Sequence, residues 1–100
     1  MVSRSPSALD DVPALAILLD VVELGSFSRA AKRRGLTTSA VSKRVAQLEA
    51  RLGVQLLARS TRRVAATNAG KRLARHAESV LRELTDAELE LAEPKTTIRP

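Results

Sequence analysis

Apolar residues recur at helical spacing in the first quarter of the chain. They predict a first helix that is capped by Asp10 or Asp11, has Pro13 in its first turn, and runs to about Leu24, where Gly25 ends it. Two apolar stripes lie on nearly opposite faces of this helix: Leu15, Leu18, Leu19 and Val22 on one, and Ala14, Ile17, Val21 and Leu24 on the other. Because both stripes must be covered, one is expected to face the domain core and the other a second element or subunit.

Two more helices follow, separated only by residues 35–37. Ser26 caps the first, predicted over 27–34, and Thr37 caps the second, predicted over 38–52; a glycine ends each. The second helix has apolar residues at spacings of three and four, namely Val41, Val45, Leu48 and Leu52. A connection this short between two helices is typical of a helix-turn-helix.

The pattern then changes from helix to strand and back. A short strand candidate over 54–59, a polar tip over 60–63 and the segment 64–66 predict a β-hairpin, although alanines are poor strand formers. A long helix capped by Thr67 is predicted over 68–93, where Pro94 prevents continuation. At ~1.5 Å per residue this helix spans roughly 39 Å, more than a small domain needs.

The long helix carries a heptad seam, formed by Leu73, Ala77, Val80, Leu84, Ala87 and Leu91. We expect this seam, together with Ile17 and Val21 of the first helix, to pair two copies of the chain about a twofold axis. The alternative is that the seam docks on the first helix of its own chain.

These elements define a mainly α fold. A winged helix-turn-helix over 10–67, with three helices and a short β-hairpin wing, precedes a linker and dimerisation helix over 68–93. Residues 1–9 are polar and turn-prone and are expected to be disordered, and residues 94–100 are expected to form a further linker.

Charge is segregated along the chain. Thirteen basic residues lie between Arg29 and Arg75, where Glu49 is the only acid. From Glu78 to Glu93 the sign reverses, with six acids against Arg82. Because an ordinary solvated face would interleave the two signs, this separation indicates that the basic block does more than keep the chain in solution.

The helix over 38–52 has the most specific pattern of exposed residues. Opposite its core stripe lie Ser39, Ser42, Lys43, Ala46 and Ala50. Small side chains would let the helix approach the floor of a DNA major groove, where the two serines, Lys43 and the neighbouring Thr38 could reach base edges. Arg44 and Arg51 project sideways, toward the path of the phosphates. An ordinary exposed helix is the alternative, which the preceding tight turn and the basic surroundings disfavour.

Three arginines, Arg59, Arg62 and Arg63, lie at or beside the hairpin tip, with no acid nearby in the sequence to balance them. A phosphate backbone would satisfy their charge, and a minor groove would accept one inserted guanidinium. A solvated loop that uses charge only for solubility is the alternative.

Several functions lack the residues they need. The chain has no cysteine and one histidine, His76, and it contains no phosphate-binding glycine-rich loop and no G-x-S-x-G motif. We therefore expect no catalytic residue, no metal and no cofactor. No signal-peptide pattern and no apolar run of about 20 residues occurs, so we expect a cytoplasmic protein that does not bind membranes.

Residues 24–59, L-G-S-F-S-R-A-A-K-R-R-G-L-T-T-S-A-V-S-K-R-V-A-Q-L-E-A-R-L-G-V-Q-L-L-A-R, closely resemble the N-terminal domain of LysR-type transcriptional regulators, as do R-R-V and T-N-A-G within 62–70. The resemblance implies a bacterial regulator that binds an interrupted inverted repeat of double-stranded DNA as a homodimer paired through its linker helices. It places base reading on Thr38, Ser39, Ser42 and Lys43, helix capping on Thr37, phosphate contacts on Ser26 and Ser28, and the wing on 60–63.

The chain departs from the family pattern at a few positions. Thr38 stands where Gln is usual, which would change or weaken base readout, and Arg34 stands where an apolar residue is frequent. Leu57 replaces a usual Phe and Ala66 a common Leu, so the hairpin is expected to pack more loosely. The family continues into an effector-binding domain that this chain lacks, and a small-molecule effector is expected to act only through that domain.

A function of a different class is a winged-helix protein-interaction module whose basic face meets an acidic protein. Such a module would be expected to expose large apolar anchors on the helix over 38–52, where this chain has small residues. A basic segment at a membrane surface is disfavoured, because the polar faces lack interleaved Trp, Phe or Leu.

Overall fold

The computed structural model describes residues 11–60 and 63–92. The elements of this part are α1 (Val12–Leu24), α2 (Phe27–Arg34), α3 (Thr38–Leu52), β1 (Leu57–Arg59), β2 (Val64–Ala66) and α4 (Asn68–Ala92). The predicted mainly α, winged helix-turn-helix fold is confirmed, and β1 is shorter than the strand predicted over 54–59. The predicted tail at 1–9, Arg62 at the wing tip and the predicted linker at 94–100 lie outside the described residues.

Local capping sets the ends of the helices. The side chains of Asp11, Ser26, Thr37 and Thr67 each accept a hydrogen bond from a backbone N–H three residues later, at 3.2, 3.1, 3.0 and 3.0 Å. Gly25, Gly35 and Gly53, which end the first three helices, have φ angles of 66°, 67° and 70°. This left-handed conformation favours glycine, so these residues stop each helix where the sequence pattern predicts.

Helix α1 occupies the centre of the domain, where it contacts α2, α3, α4 and β2. Both of its apolar stripes are covered: Leu18 of one stripe and Val21 of the other are each 0% exposed. Around it pack Val41, Val45 and Leu48 of α3, Ala30 and Ala31 of α2, and Leu56 and Leu57 before and in the wing. This burial of apolar surface, at about 25 cal/mol per Å², is the main stabilisation of the fold.

The expectation that Ile17 and Val21 meet a second subunit is wrong, because both lie in the core of their own chain. Ile17 is 3% exposed, and α4 covers this side of α1 with Ala77, which is 1% exposed, and the half-buried Leu73. The first part of the heptad seam therefore docks within the chain. Its later members remain at the surface: Val80, Leu84 and Leu91 are 44%, 47% and 86% exposed, and Ala87 is also exposed.

The hairpin that forms the wing is short and antiparallel. Leu57 pairs with Ala66, Ala58 with Ala65, and Arg59 with Val64. Leu57, at the position where the family pattern has Phe, is 0% exposed and belongs to the main core. The wing is thus anchored by its base, while Ala58, Ala65 and the described tip residues face outward.

Gly70 allows α4 to pass directly over the backbone that leads into the wing. The N–H of Thr67 donates to the carbonyl oxygen of Leu56 at 3.0 Å, and a Cβ added at Gly70 would collide with that same oxygen. Leu56 is 1% exposed, so its backbone has little room to retreat.

Within residues 11–60 and 63–92, no helix is long and apolar enough to cross a membrane.

Replacing Gly70 by Ala should therefore lower the free energy of unfolding by about 3 kcal/mol, through overpacking between α4 and Leu56. The matched control is Gly35→Ala, whose added Cβ has nothing within 4 Å and whose left-handed backbone should cost only about 1 kcal/mol. Urea unfolding followed by circular dichroism measures both. Equal losses in the two variants would contradict the close approach of α4.

Candidate nucleic-acid interface

The outward face of α3 carries the four residues predicted to read bases. Thr38, Ser39 and Lys43 are exposed and Ser42 is half-buried. None of the four side chains forms a hydrogen bond or ion pair with another described residue. Because the opposite stripe of α3 is held in the core, these polar groups are presented to solvent with their hydrogen-bonding capacity unused.

Two small residues extend this face toward the end of the helix. Ala46 and Ala50 are both exposed, one and two turns after Ser42. Apart from the flexible Lys43, the face therefore has only small side chains between Thr38 and Ala50, and these let the helix backbone approach a partner closely. A surface of this shape fits the major groove of DNA, which is wide enough to admit an α-helix, better than it fits a flat apolar surface.

A groove lies between the start of α2, the start of α3 and the wing. It is lined by Gly25, Ser26, Phe27, Ser28, Thr38, Ser60, Arg63 and Val64. Two helix starts meet there, and each contributes unpaired N–H groups and the positive end of a helix dipole. The hydroxyls of Ser26 and Ser28 lie 3.2 Å apart. Together with the Arg63 guanidinium, this arrangement suits an anion such as a phosphate.

The basic residues of the block divide into paired and unpaired ones. Arg44 Nη1 lies 3.3 Å from both carboxylate oxygens of Asp11, the residue that caps α1. In contrast, Lys43 and Arg63 form no ion pair with any residue of 11–60 or 63–92. These two cations therefore lose no ion pair with a described residue when they meet an anion.

Arg59 corrects the expectation that no acid balances the wing arginines. Its Nη2 lies 3.8 Å from Oε1 of Glu49, and its guanidinium lies over the ring of Phe27, 4.9 Å from the centroid. The turn after α3 brings Glu49 back beside β1, although ten residues separate the two side chains in the sequence. Arg59, the last residue of β1, is thus held between α3 and α2.

The arginines at the end of α2 hold that helix against α1. Asp20 is 4% exposed, and its carboxylate accepts from Nε of Arg34 at 2.5 Å and from Nη1 of Arg33 at 3.1 Å. Glu23, which also accepts from Arg33 at 3.0 Å, and Asp20 raise the pKa of Arg33. The cation at Arg34, where an apolar residue was expected, is therefore explained by a buried carboxylate on the facing helix.

The fold and this surface define a winged helix-turn-helix whose third helix faces outward. The family model described as "Bacterial regulatory helix-turn-helix protein, lysR family" matches residues 13–71. The chain belongs to this family, and the resemblance found in the sequence is confirmed.

Named relatives and solved structures agree with this assignment. The chain is 46% identical over 77 residues to the HTH-type transcriptional regulator CrgA of Neisseria meningitidis serogroup C (strain 8013), covering 77% of this chain and 26% of CrgA. A crystal structure of the BenM_DBD/catB site 1 DNA complex has a TM-score of 0.82 and 26% identity, covering 89% of this chain and 99% of that one. Full-length CbnR complexed with its target DNA has a TM-score of 0.74 and 30% identity, and the match covers 80% of this chain and 28% of that one. The chain spans about a quarter of the length of the curated relatives that it matches.

Sequence reasoning missed the ion pairs of three carboxylates that organise this surface, those of Asp11, Asp20 and Glu49. Asp20 had a visible signal, since it is a lone acid between Leu19 and Val21 in an otherwise apolar stretch of α1. Glu49 also had one, as the only acid of the basic block.

Among the described residues, no group of three or more His, Cys, Asp or Glu side chains could hold a metal ion.

Asp20→Asn should lower the free energy of unfolding by about 2 kcal/mol, because a buried carboxylate that accepts from two arginines is replaced by a neutral amide. Glu23→Gln is the matched control, since Glu23 shares Arg33 but its side chain is 57% exposed. That variant should change stability by less than about 0.5 kcal/mol. Denaturant midpoints measured in parallel test the difference, and a loss as large for Glu23→Gln would refute the special position of Asp20.

Proposed function

We propose that the chain binds double-stranded DNA sequence-specifically and thereby regulates transcription, with α3 in the major groove and the wing on the backbone or in the minor groove. The observation that carries this proposal is the exposed, small and unpaired polar face of α3 beside the groove lined by Ser26, Ser28 and Arg63. The relatives are named transcriptional regulators, and both solved neighbours described above are DNA complexes. A protein-interaction module is less well supported, because Ala46 and Ala50 offer no apolar anchor on this face.

Within this proposal, base edges are read by Thr38, Ser39, Ser42 and Lys43. Phosphate contacts are assigned to Ser26, Ser28, Thr37, Arg51, Arg63 and, outside the described residues, Arg62. The Thr37 hydroxyl oxygen accepts from the N–H of Ala40 at 3.0 Å, so its own O–H is left to donate to a phosphate. Arg44 could join this set only by exchanging Asp11 for a phosphate.

Dimerisation is assigned to the exposed part of the seam, formed by Val80, Leu84, Ala87 and Leu91. Large exposed aliphatic side chains at heptad spacing are stabilised by pairing with a second helix. A twofold homodimer would present two copies of α3 to an interrupted inverted repeat. The protein would act in the cytoplasm without a cofactor or catalytic residue of its own, and any small-molecule effector would bind a separate effector-binding domain and not these residues.

Selection of random duplexes by the chain, with binding followed across a salt series, tests the proposed function. An inverted repeat should be enriched. With roughly 6–10 neutralised phosphates, affinity should fall about 10³–10⁵-fold between 50 and 200 mM salt. Salt-sensitive binding with no enriched motif would argue against sequence-specific reading by α3, and a lack of binding would reject the proposal.

The division of roles between α3 and the wing makes a second prediction. Ser42→Ala or Lys43→Ala should relax preference at particular base pairs, each by about 1–3 kcal/mol. Arg63→Ala should weaken operator and random DNA alike and reduce the salt slope by about one. Arg82→Ala, an exposed cation on α4 that pairs with Glu78, serves as the control for loss of one positive charge. Equal losses on operator and random DNA for the α3 variants would refute this division.

A further inference from the structure

Glu49 is a largely buried acid inside the surface proposed to meet DNA. Its side chain is 18% exposed, and it is the only acid between Arg29 and Arg75. A carboxylate removed from water is costly unless it is hydrogen-bonded or paired, and a negative charge here also repels a polyanion. The contacts of Glu49 must therefore offset both costs.

The residue joins the end of α3 to the start of the wing. Its carbonyl oxygen accepts from the N–H groups of Gly53 and Val54 at 2.8 and 3.2 Å, which closes the helix. Its carboxylate Oε2 accepts from the N–H groups of Leu56 and Leu57 at 2.8 and 3.1 Å. Because these leucines are 1% and 0% exposed, water is a poor substitute for the carboxylate as their acceptor.

The other carboxylate oxygen reaches toward α2. Oε1 lies 3.8 Å from Nη2 of Arg59, and Arg59 in turn lies over the ring of Phe27, the first residue of α2. Glu49 thus contacts the backbone that enters β1. Through Arg59, it also reaches the start of α2, which lines the groove beside Ser26, Ser28 and Arg63.

The wing depends on such attachments for its direction. Its strands are three residues each, and an isolated hairpin of that size is at best marginally stable. On the side of β2, Thr67 donates through its N–H to Leu56 O at 3.0 Å and through its hydroxyl to Gln55 O at 2.7 Å. On the side of α3, the hydrogen bonds of Glu49 are what tie the entering strand to the proposed recognition helix.

We propose that Glu49 is the positioning residue of the wing: it contacts no DNA and fixes the hairpin relative to α3, so that Arg63 faces the groove. Arg59 links Glu49 to Phe27 of α2 in this arrangement and is not a phosphate contact. This inference rests on the proposed DNA-binding function for its consequence, while the attachment itself is measurable without DNA.

The first test is amide hydrogen exchange by NMR on the DNA-free chain. In Glu49→Ala, the amides of Leu56 and Leu57 should exchange at least about 10-fold faster, as expected for loss of a hydrogen bond to a charged acceptor. Val21 in the core should be unchanged, and Glu83→Gln, an exposed acid on α4, should leave all three amides unchanged. Unaltered exchange at Leu56 and Leu57 in Glu49→Ala would overturn the proposal, whatever the chain binds.

If Glu49→Ala fails to fold, Glu49→Gln keeps the test decisive. Its amide oxygen can accept from the same two N–H groups, but without the charge it holds Arg59 and these amides less strongly. Exchange at Leu56 and Leu57 should then rise by about threefold, since neutral hydrogen bonds are about half as strong as charge-assisted ones. Exchange equal to that of the unsubstituted chain would contradict the role of the carboxylate.

The second test is a double-mutant cycle on the selected duplex. Arg63→Ala should weaken binding by about tenfold in the unsubstituted chain and by less than about threefold in the Glu49→Gln background, because the wing is held less firmly there. A loss of fold stability alone would leave the Arg63 effect the same in both backgrounds, and that result would overturn the positioning role. If the unsubstituted chain binds no DNA, the proposed function fails, and the exchange experiment still decides the attachment.

Discussion

Helix α1 lies between α2, α3 and α4, and the arrangement of the surface proposed to face DNA follows from how the two apolar stripes of α1 are covered. Leu18 and Val21 are completely buried, so every neighbouring helix must present an apolar face to α1 and its polar face elsewhere. The eight-residue α2 is too short to be stable alone, and it is held by Ala30, Ala31 and the ion pairs to Asp20. Once α3 buries Val41, Val45 and Leu48, its serines and Lys43 have only one direction in which to point.

The basic block serves two purposes that composition cannot separate. Arg33, Arg34, Arg44 and Arg59 are bound to carboxylates on other elements and brace α1, α2, α3 and the wing against one another. Lys43 and Arg63 have no such partner among the described residues and remain available to an anion. The count of thirteen basic residues between Arg29 and Arg75 is therefore a poor measure of what a phosphate backbone would meet, because part of that positive charge is already neutralised where it holds the fold together.

Much of the fold was predictable because the signals are local: a capping side chain at each helix start and a left-handed glycine at three helix ends act within a few residues. The partners of long-range contacts could not be predicted in this way. The stripe with Ile17 and Val21 required a cover, but nothing in its spacing says whether α4 of the same chain or a second subunit provides it. Likewise, Glu49 and Arg59 are ten residues apart in the sequence, and they meet only because the turn after α3 returns β1 to that helix. The base-reading and phosphate residues and the domain limits remain predictions.

The proposed reading positions combine two properties that rarely coincide. Thr38, Ser39 and Lys43 are exposed and unbonded, while the boundaries of their helix are set independently by Thr37 and Gly53. Substitutions at these three positions should therefore have almost no thermodynamic effect on the folded state. Natural variation or a laboratory library could explore new operator sequences there on a constant scaffold, and the altered specificity would need no compensating change elsewhere in the domain.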